Sequence, residues 1–170
     1  MFRPGITIVP SLTDVRGIHV EIIVDDLAGP AIAAFLAEHV AEMRSLTPLS
    51  SKHALDLAGL RLPGITFWSM MDGPAVVGCC ALKELDAGHA EIKSMRTAPA
   101  RKRQGIAATL LRHVIGAAVR DGYRRLSLET GSADFFAPAR ALYTKHGFGY
   151  CAPFGDYRED PHSVYMTREL

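Results

Sequence analysis

The stretch Ala98–Leu111, APARKRQGIAATLL, sets three cations, Arg101, Lys102 and Arg103, where an amphipathic helix is expected to begin. A helix N-terminus presents unpaired N–H groups and about half a positive charge, so cations there cost stability unless an anion compensates. Gly105 falls in the expected first turn and allows close backbone approach. Several N–H groups then converge into an anion site, and phosphate is their natural ligand. An isolated basic triplet reads as a solvated surface; this one's position at a helix start points to the anion site.

Working outward, Ile65–Met71, Ala75–Leu85 and Ala90–Thr97 read as extended runs. The turn signals Asp72-Gly73-Pro74 and Asp86-Ala87-Gly88 separate them, which predicts an antiparallel meander. On the other side, Ile106, Leu110, Leu111, Val114 and Ile115 repeat at helical spacing until Asp121-Gly122. RRLSLET, Arg124–Thr130, alternates as a strand, and a helix between two strands predicts a crossover that makes them parallel. A short helix, APARALYTKHG, with Pro138 early and Gly147 at its end, precedes candidate strands Phe148–Ala152 and Ser163–Thr167.

The front of the chain offers β segments at Ile6–Val9 and His19–Val24, then Asp25 or Asp26 as a helix cap with Pro30 in the first turn. Ile32, Phe35, Leu36, Val40 and Met43 share one helical face. From Ser45 to Pro63 the pattern breaks, and HALDLAGL is a candidate for a second small helix. The sum is a mixed α/β domain, expected to span residues 1–170 as a single unit without repeats or linkers.

Nineteen basic residues against 18 acidic leave a net charge of +1, which argues against a general polyanion binder. No aromatic stacking platform accompanies the basic triplet, so nucleic acid is not an expected partner. The three cysteines, Cys79, Cys80 and Cys151, lack zinc-ligand spacing, and the seven histidines lack H-E-x-x-H or H-x-x-x-H spacing, so no metal is expected. No run reaches the roughly 18–20 apolar residues needed to span a bilayer, and Met1–Pro10 lacks a signal-peptide core. Buried thiols in a reducing cytoplasm are the expectation.

The anion loop lacks the glycine and lysine positions of a Walker P-loop and the three glycines of a dinucleotide fingerprint. The block Glu91-Ile-Lys-Ser-Met-Arg-Thr, Pro99 and RKRQGIAATLL resembles the acetyl-CoA signature of the GNAT superfamily of N-acetyltransferases, [QR]-x-x-G-x-[GA]. Here that signature reads Lys102-Arg103-Gln104-Gly105-Ile106-Ala107. Lys102 departs from it, keeping the charge and losing the guanidinium fork. ARALYTKHGF is similar to the superfamily's A-x-x-L-Y-x-x-x-G-F element, and LETGS, FAPARALYTKHGF and CAPFGDYREDPHSVYM resemble a group of small bacterial GNAT proteins.

The resemblance implies a mostly antiparallel sheet, splayed between its fourth and fifth strands, with helices on both faces. It implies acetyl-CoA as co-substrate. The N–H groups from Arg103 through Gln104, Gly105 and Ile106 to Ala107 would cradle the pyrophosphate, with Lys102 beside them, and the strand at Met95, Arg96 and Thr97 would track the pantetheine arm. Tyr143 would be the general acid toward the departing thiolate. Glu91, 14 positions before Gly105, would be the base, while a plain Glu91–Lys93 pair on one strand face is the competing reading. His89 is the runner-up base. An asparagine frequent seven positions before the tyrosine is replaced by Phe136, which shifts its contact to Thr130 or Ser132.

The expected activity is acetyl transfer to a primary amine of a small or amino-acid-like molecule. The alternatives are a protein or peptide N-acetyltransferase and a non-catalytic acyl-CoA sensor or assembly domain; a homodimer is compatible with either. Acceptor choice is expected to lie in Arg44–Leu60 and in the loop Pro153–His162. There, Asp156, Glu159 and Asp160 stand beside Phe154 and Tyr157 as candidate contacts to a cationic amine.

Overall fold

The computed structural model describes residues 11–15, 17–46 and 55–170. Among the described residues, eight strands form one sheet in the order β1-β2-β3-β4-β5-β6-β8-β7. The strands are β1 (Ser11–Val15), β2 (Ile18–Val24), β3 (Ile65–Asp72), β4 (Ala75–Asp86), β5 (His89–Thr97), β6 (Arg125–Gly131), β7 (Gly149–Cys151) and β8 (Ser163–Glu169). The helices are α1 (Pro30–Leu46), α2 (Leu57–Leu60), α3 (Ile106–Arg120) and α4 (Ala137–Lys145). Every neighbouring pair is antiparallel except β5 and β6, which run parallel because α3 carries the chain across.

Two apolar layers hold helices to the two faces. On one side Ile106, Leu110, Leu111 and Val114 of α3 and Tyr143 of α4 pack with Val20, Met70, Leu82, Ile92, Leu128 and Met166. On the other, Ile32, Phe35 and Leu36 of α1 and Leu60 of α2 meet Phe67, Cys79 and Ala81. Period-2 alternation along β4 sends Cys79 and Ala81 to the α1 side and Cys80 and Leu82 to the α3 side. Each layer removes apolar area from water at about 25 cal/mol per Å², the principal term favouring the fold.

The expected meander and the parallel crossover are both present. The front differs: the candidate strand at residues 6–9 lies outside the described residues, whereas β1 at Ser11–Val15 hairpins onto β2. The expected parting of the sheet between fourth and fifth strands therefore falls between β5 and β6, with one more strand counted ahead of it. Asp25 and Asp26 do not cap α1 directly. Their carboxylates accept the N–H groups of Leu27 at 2.7 Å and Ala28 at 2.9 Å, shaping the turn before Pro30, the first residue of the helix.

The start of α3 also differs from expectation. Pro99–Arg101 form a 3-10 turn and the helix opens at Ile106, so the three cations precede it in a loop. Gly105 at φ 89° bridges the two, a left-handed backbone that glycine adopts without strain. Arg103 takes a positive φ of 62° as well, in the same tight reversal.

Candidate active site

β5 and β6 pair only from His89–Ile92 against Arg125–Leu128. Past Ile92 they diverge, because β6 continues with β8 while β5 stays with β4. Lys93 to Thr97 therefore have no ladder partner on the β6 side. The parting opens a cleft of about 1070 Å³ whose walls include Glu91 to Thr97 of β5, Glu129 to Gly131 of β6, Tyr143 of α4 and the turn into α3. That volume suits a large, extended ligand.

A β-bulge shapes the β5 wall. Cys79 faces Arg96 while Ala81 faces Lys93, so Ser94 and Met95 together oppose Cys80 alone. Ser94 adopts φ 52°, and its carbonyl accepts from Cys79 Sγ at 3.2 Å. The extra residue resets the alternation. Met95 joins the α3-side layer, and Arg96 turns toward α1, donating to the Phe35 carbonyl at 3.0 Å and lying 3.6 Å from Glu38.

At the phosphate end, Lys102, Arg103, Gly105, Ile106 and Ala107 all line the cleft. The first turn of α3 holds no acidic side chain, and its leading N–H groups lack intrahelical acceptors. Backbone donors, the positive end of the helix dipole and side-chain cations thus stand together at one end of the cleft, an arrangement able to attract an anion. The three cations are not equivalent. Arg101 is committed to Asp72 at 2.7 Å and to Gln104 at 2.9 Å, whereas Lys102 Nζ lies 5.5 Å from the Phe135 ring centre.

Tyr143 is buried but its side chain borders the cleft. Its hydroxyl donates to Met95 Sδ at 3.5 Å. A thioether is a weak acceptor, so the proton is not consumed by a strong partner. Burial, with smaller contributions from Cys80 and Glu129, pushes the phenol above its ordinary value and keeps it protonated.

Glu91 lines the same cleft and is 2 % exposed. The pair with Lys93 raised by the sequence exists, at 3.0 Å. A third group joins it: the Tyr157 hydroxyl donates to the same carboxylate oxygen at 2.5 Å and accepts from Lys93 Nζ at 2.9 Å. Burial first, and then the Glu91 charge, push the Tyr157 phenol upward. Phe154 meets Tyr157 edge-on with ring centres 5.1 Å apart, and Tyr165 meets it at a tilt with centres 5.4 Å apart. This aromatic cluster closes the loop between β7 and β8 over the triad.

Of the site residues expected from sequence, Glu91, Met95, Arg96, Thr97, Lys102, Arg103, Gly105, Ile106, Ala107, Thr130 and Tyr143 come together around the cleft. Gln104 and Ser132 are not among its walls. Gln104 braces Arg101, and the Ser132 hydroxyl donates to the Pro161 carbonyl at 2.8 Å. His89 also stands apart, hydrogen-bonded to Ser127 Oγ at 2.7 Å, and burial lowers its proton affinity. Asp156, Glu159 and Asp160 likewise lie off the cleft walls. Cys79 and Cys80 are free, fully buried thiols; burial pushes Cys79 up to about 12, which suits core residues and not acyl carriers.

Sequence reasoning missed His39, Glu42 and Met43, which bring the C-terminal half of α1 to the cleft. Burial and the nearby Arg96 lower His39 to about 4, leaving it neutral near pH 7. Only the i, i+3 and i, i+4 spacing of these residues with Phe35 and Leu36 hinted that they share a helix flank. Phe136 takes the place of the frequent asparagine as a cleft wall, its ring against Gly131, where an added Cβ would come within 2.2 Å of it.

A mixed sheet parted at its parallel pair, with a glycine turn and cations at one end of the opening, is the arrangement that the sequence resemblance implies. The family model for the Acetyltransferase (GNAT) family matches residues 32–148, and the chain belongs to that family. It is 52% identical over 147 residues to the uncharacterized Bacillus subtilis N-acetyltransferase YsnE, covering 86% of this chain and 97% of that one. With the Escherichia coli N-acetyltransferase YedL it shares 48% over 146 residues, 86% of this chain and 92% of the relative. Among solved structures, a Klebsiella pneumoniae protein assigned as an acyl-CoA N-acyltransferase superimposes with a TM-score of 0.73 at 26% identity, over 89% of this chain and 97% of that one. The protein is an N-acetyltransferase of the GNAT type, and acetyl-CoA is the donor its family uses.

Among the described residues no helix is long and apolar enough to cross a membrane, and no group of His, Cys, Asp or Glu side chains is arranged to hold a metal.

Proposed function

We propose that the protein moves the acetyl group of acetyl-CoA directly to a primary amine of a small or amino-acid-like molecule, with Tyr143 as general acid and Glu91 as general base. The carrying observation is that both side chains border one cleft whose far end is the Gly105 turn. The walls fit the donor: positive φ at Gly105, α3 N–H groups without intrahelical acceptors, and Lys102 and Arg103 beside them suit the pyrophosphate. The unpaired β6-side edge of Lys93 to Thr97 suits an amide-bearing arm. Acetyl-CoA supplies an activated thioester carbonyl. The chain's own residues do the rest.

Glu91 takes the ammonium proton, directly or through one water, which frees the nitrogen lone pair. Tyr143 holds its proton at the hydroxyl oxygen beside Met95 and donates toward the leaving sulfur. The β5 bulge orients the strand edge at the reacting centre, and the cluster of Phe154, Tyr157 and Tyr165 keeps water from the Glu91 side. The acceptor's side of the cleft is lined by His39, Glu42 and Met43 of α1.

The test is CoA-thiol release with a panel of amines, amino acids and short peptides, each at saturating acetyl-CoA. Turnover of small amines is expected. Turnover of peptide N-termini alone would sink the small-molecule reading. Acetyl-CoA binding without thiol release from any acceptor would support the sensor alternative.

A further inference from the structure

The amine nearest to the proposed base belongs to the protein itself. Lys93 Nζ lies 3.0 Å from Glu91 Oε1 and 2.9 Å from the Tyr157 hydroxyl, and 5.5 Å from the centre of the Tyr157 ring. Its side chain is 9 % exposed, yet it borders the cleft. It stands two residues before Met95, the neighbour of the Tyr143 hydroxyl. A primary amine on the cleft wall is thus in contact with the carboxylate that an external amine would have to reach.

We propose that Lys93 is acetylated in cis, as an internal acceptor used when no external amine occupies the cleft. This rests on the acetyltransferase assignment of Glu91 and Tyr143 given above. Lys93 Nζ gives one proton to Glu91, and its freed lone pair forms a bond to the carbonyl carbon of acetyl-CoA as the carbon–sulfur bond breaks. The sulfur takes the Tyr143 proton; the second nitrogen proton, lost as the amide forms, restores the Tyr143 phenol, and Glu91 releases its proton to solvent. Lys93 gains an acetyl group, one CoA thiol is released and one proton is lost overall, with no other reactant.

The consequence is self-limitation. An acetylated Lys93 is neutral, so its ion pair with Glu91 is lost and the added group fills the space beside the base. External amines protect Lys93 by competing for the same carbonyl.

Burial makes the test selective. Chemical acetylation by acetyl-CoA favours exposed lysines, and Lys102 and Lys145 are exposed while Lys93 is nearly covered. The full chain is incubated with acetyl-CoA alone, and intact mass and peptide mapping are followed with time. The expected result is one added acetyl group, mapped to Lys93, forming at least tenfold faster than at Lys102 or Lys145. Lys93→Arg should abolish it, and Glu91→Gln and Tyr143→Phe should each slow it at least tenfold while leaving modification of Lys102 unchanged. An unmodified Lys93, or acetylation at Lys93 no faster than at the exposed lysines, overturns the inference. If Lys93 stays unmodified while external amines are acetylated in a Glu91-dependent way, the catalytic assignment stands and the internal acceptor alone falls. If Glu91→Gln leaves both reactions at the wild-type rate, the catalytic assignment falls with it.

Discussion

The Tyr143 hydroxyl rests 3.5 Å from the sulfur of Met95, joining α4 to the bulged end of β5 across the parting of the sheet. That contact places a protonated phenol beside the strand edge suited to the pantetheine arm. Burial raises its proton affinity, so the group stays neutral throughout an ordinary assay range.

Replacing Tyr143 by Phe removes the donor and keeps the ring against Phe148, whose centre lies 5.9 Å away. General acid groups contribute roughly 10²–10⁴-fold, so kcat should fall by about 10² or more. The dissociation constant for acetyl-CoA, measured by calorimetry, should change less than about threefold, because the hydroxyl acts on the leaving group. Wild-type turnover in this variant would remove Tyr143 from the acid role.

The basic triplet should divide into two functions. Lys102→Glu combined with Arg103→Glu should weaken acetyl-CoA binding at least tenfold, equivalent to about 1.4 kcal/mol. Arg101→Ala instead loses the 2.7 Å pair with Asp72, a partly exposed bridge between the β3–β4 turn and the loop. Such a bridge contributes about 1 kcal/mol, or roughly 2–4 °C in Tm at this size. Equal loss of cofactor affinity in both variants would contradict the division.

His39 should make stability pH-dependent. Its folded value is lowered to about 4 from 6.5, chiefly by burial. A lowered folded pKa means stability is fully present above 6.5 and is lost as pH falls toward 4. At pH 5 the deficit is about 2 kcal/mol, or roughly 4–8 °C in Tm. His39→Gln should flatten this part of the profile; an unchanged slope in thermal melts would assign it to other groups.

Gly78 of β4 lies directly against the first turn of α3. A Cβ there would lie 2.8 Å from both Ile106 Cγ2 and Leu110 Cδ1 and 3.1 Å from the Arg96 carbonyl oxygen. Gly78→Ala should therefore cost about 1–3 kcal/mol by overpacking, measured by urea unfolding. It should also weaken acetyl-CoA binding, since Ile106 opens the helix whose N–H groups face the cleft. A variant as stable as the parent would mean that α3 can shift without loss.

Sequence and structure divide along the range of the interactions involved. The α3 helix, the meander and the parallel crossover were legible because each depends on local periodicity: apolar residues at helical spacing, alternation along strands, and glycine at turns. Gly105 was legible as a point of close backbone approach, but not as the left-handed residue ahead of the helix, with the cations outside it. Tyr143 and Glu91 were singled out by the resemblance, each on an element whose neighbours were readable.

Tertiary structure decided which partners those residues meet. Arg101, adjacent to Lys102 in sequence and also on the cleft wall, pairs with Asp72, 29 positions back. Glu91 acquires Tyr157, 66 positions ahead, and the two share one short hydrogen bond. His39 and Glu42 reach the cleft only because α1 packs across the bulged end of β5. Local patterns specify elements because backbone hydrogen bonds and side-chain spacing recur every two or 3.6 residues. Contacts across the sheet depend on register, on one added residue at Ser94 and on where two parallel strands stop pairing, and no short window of sequence contains those quantities.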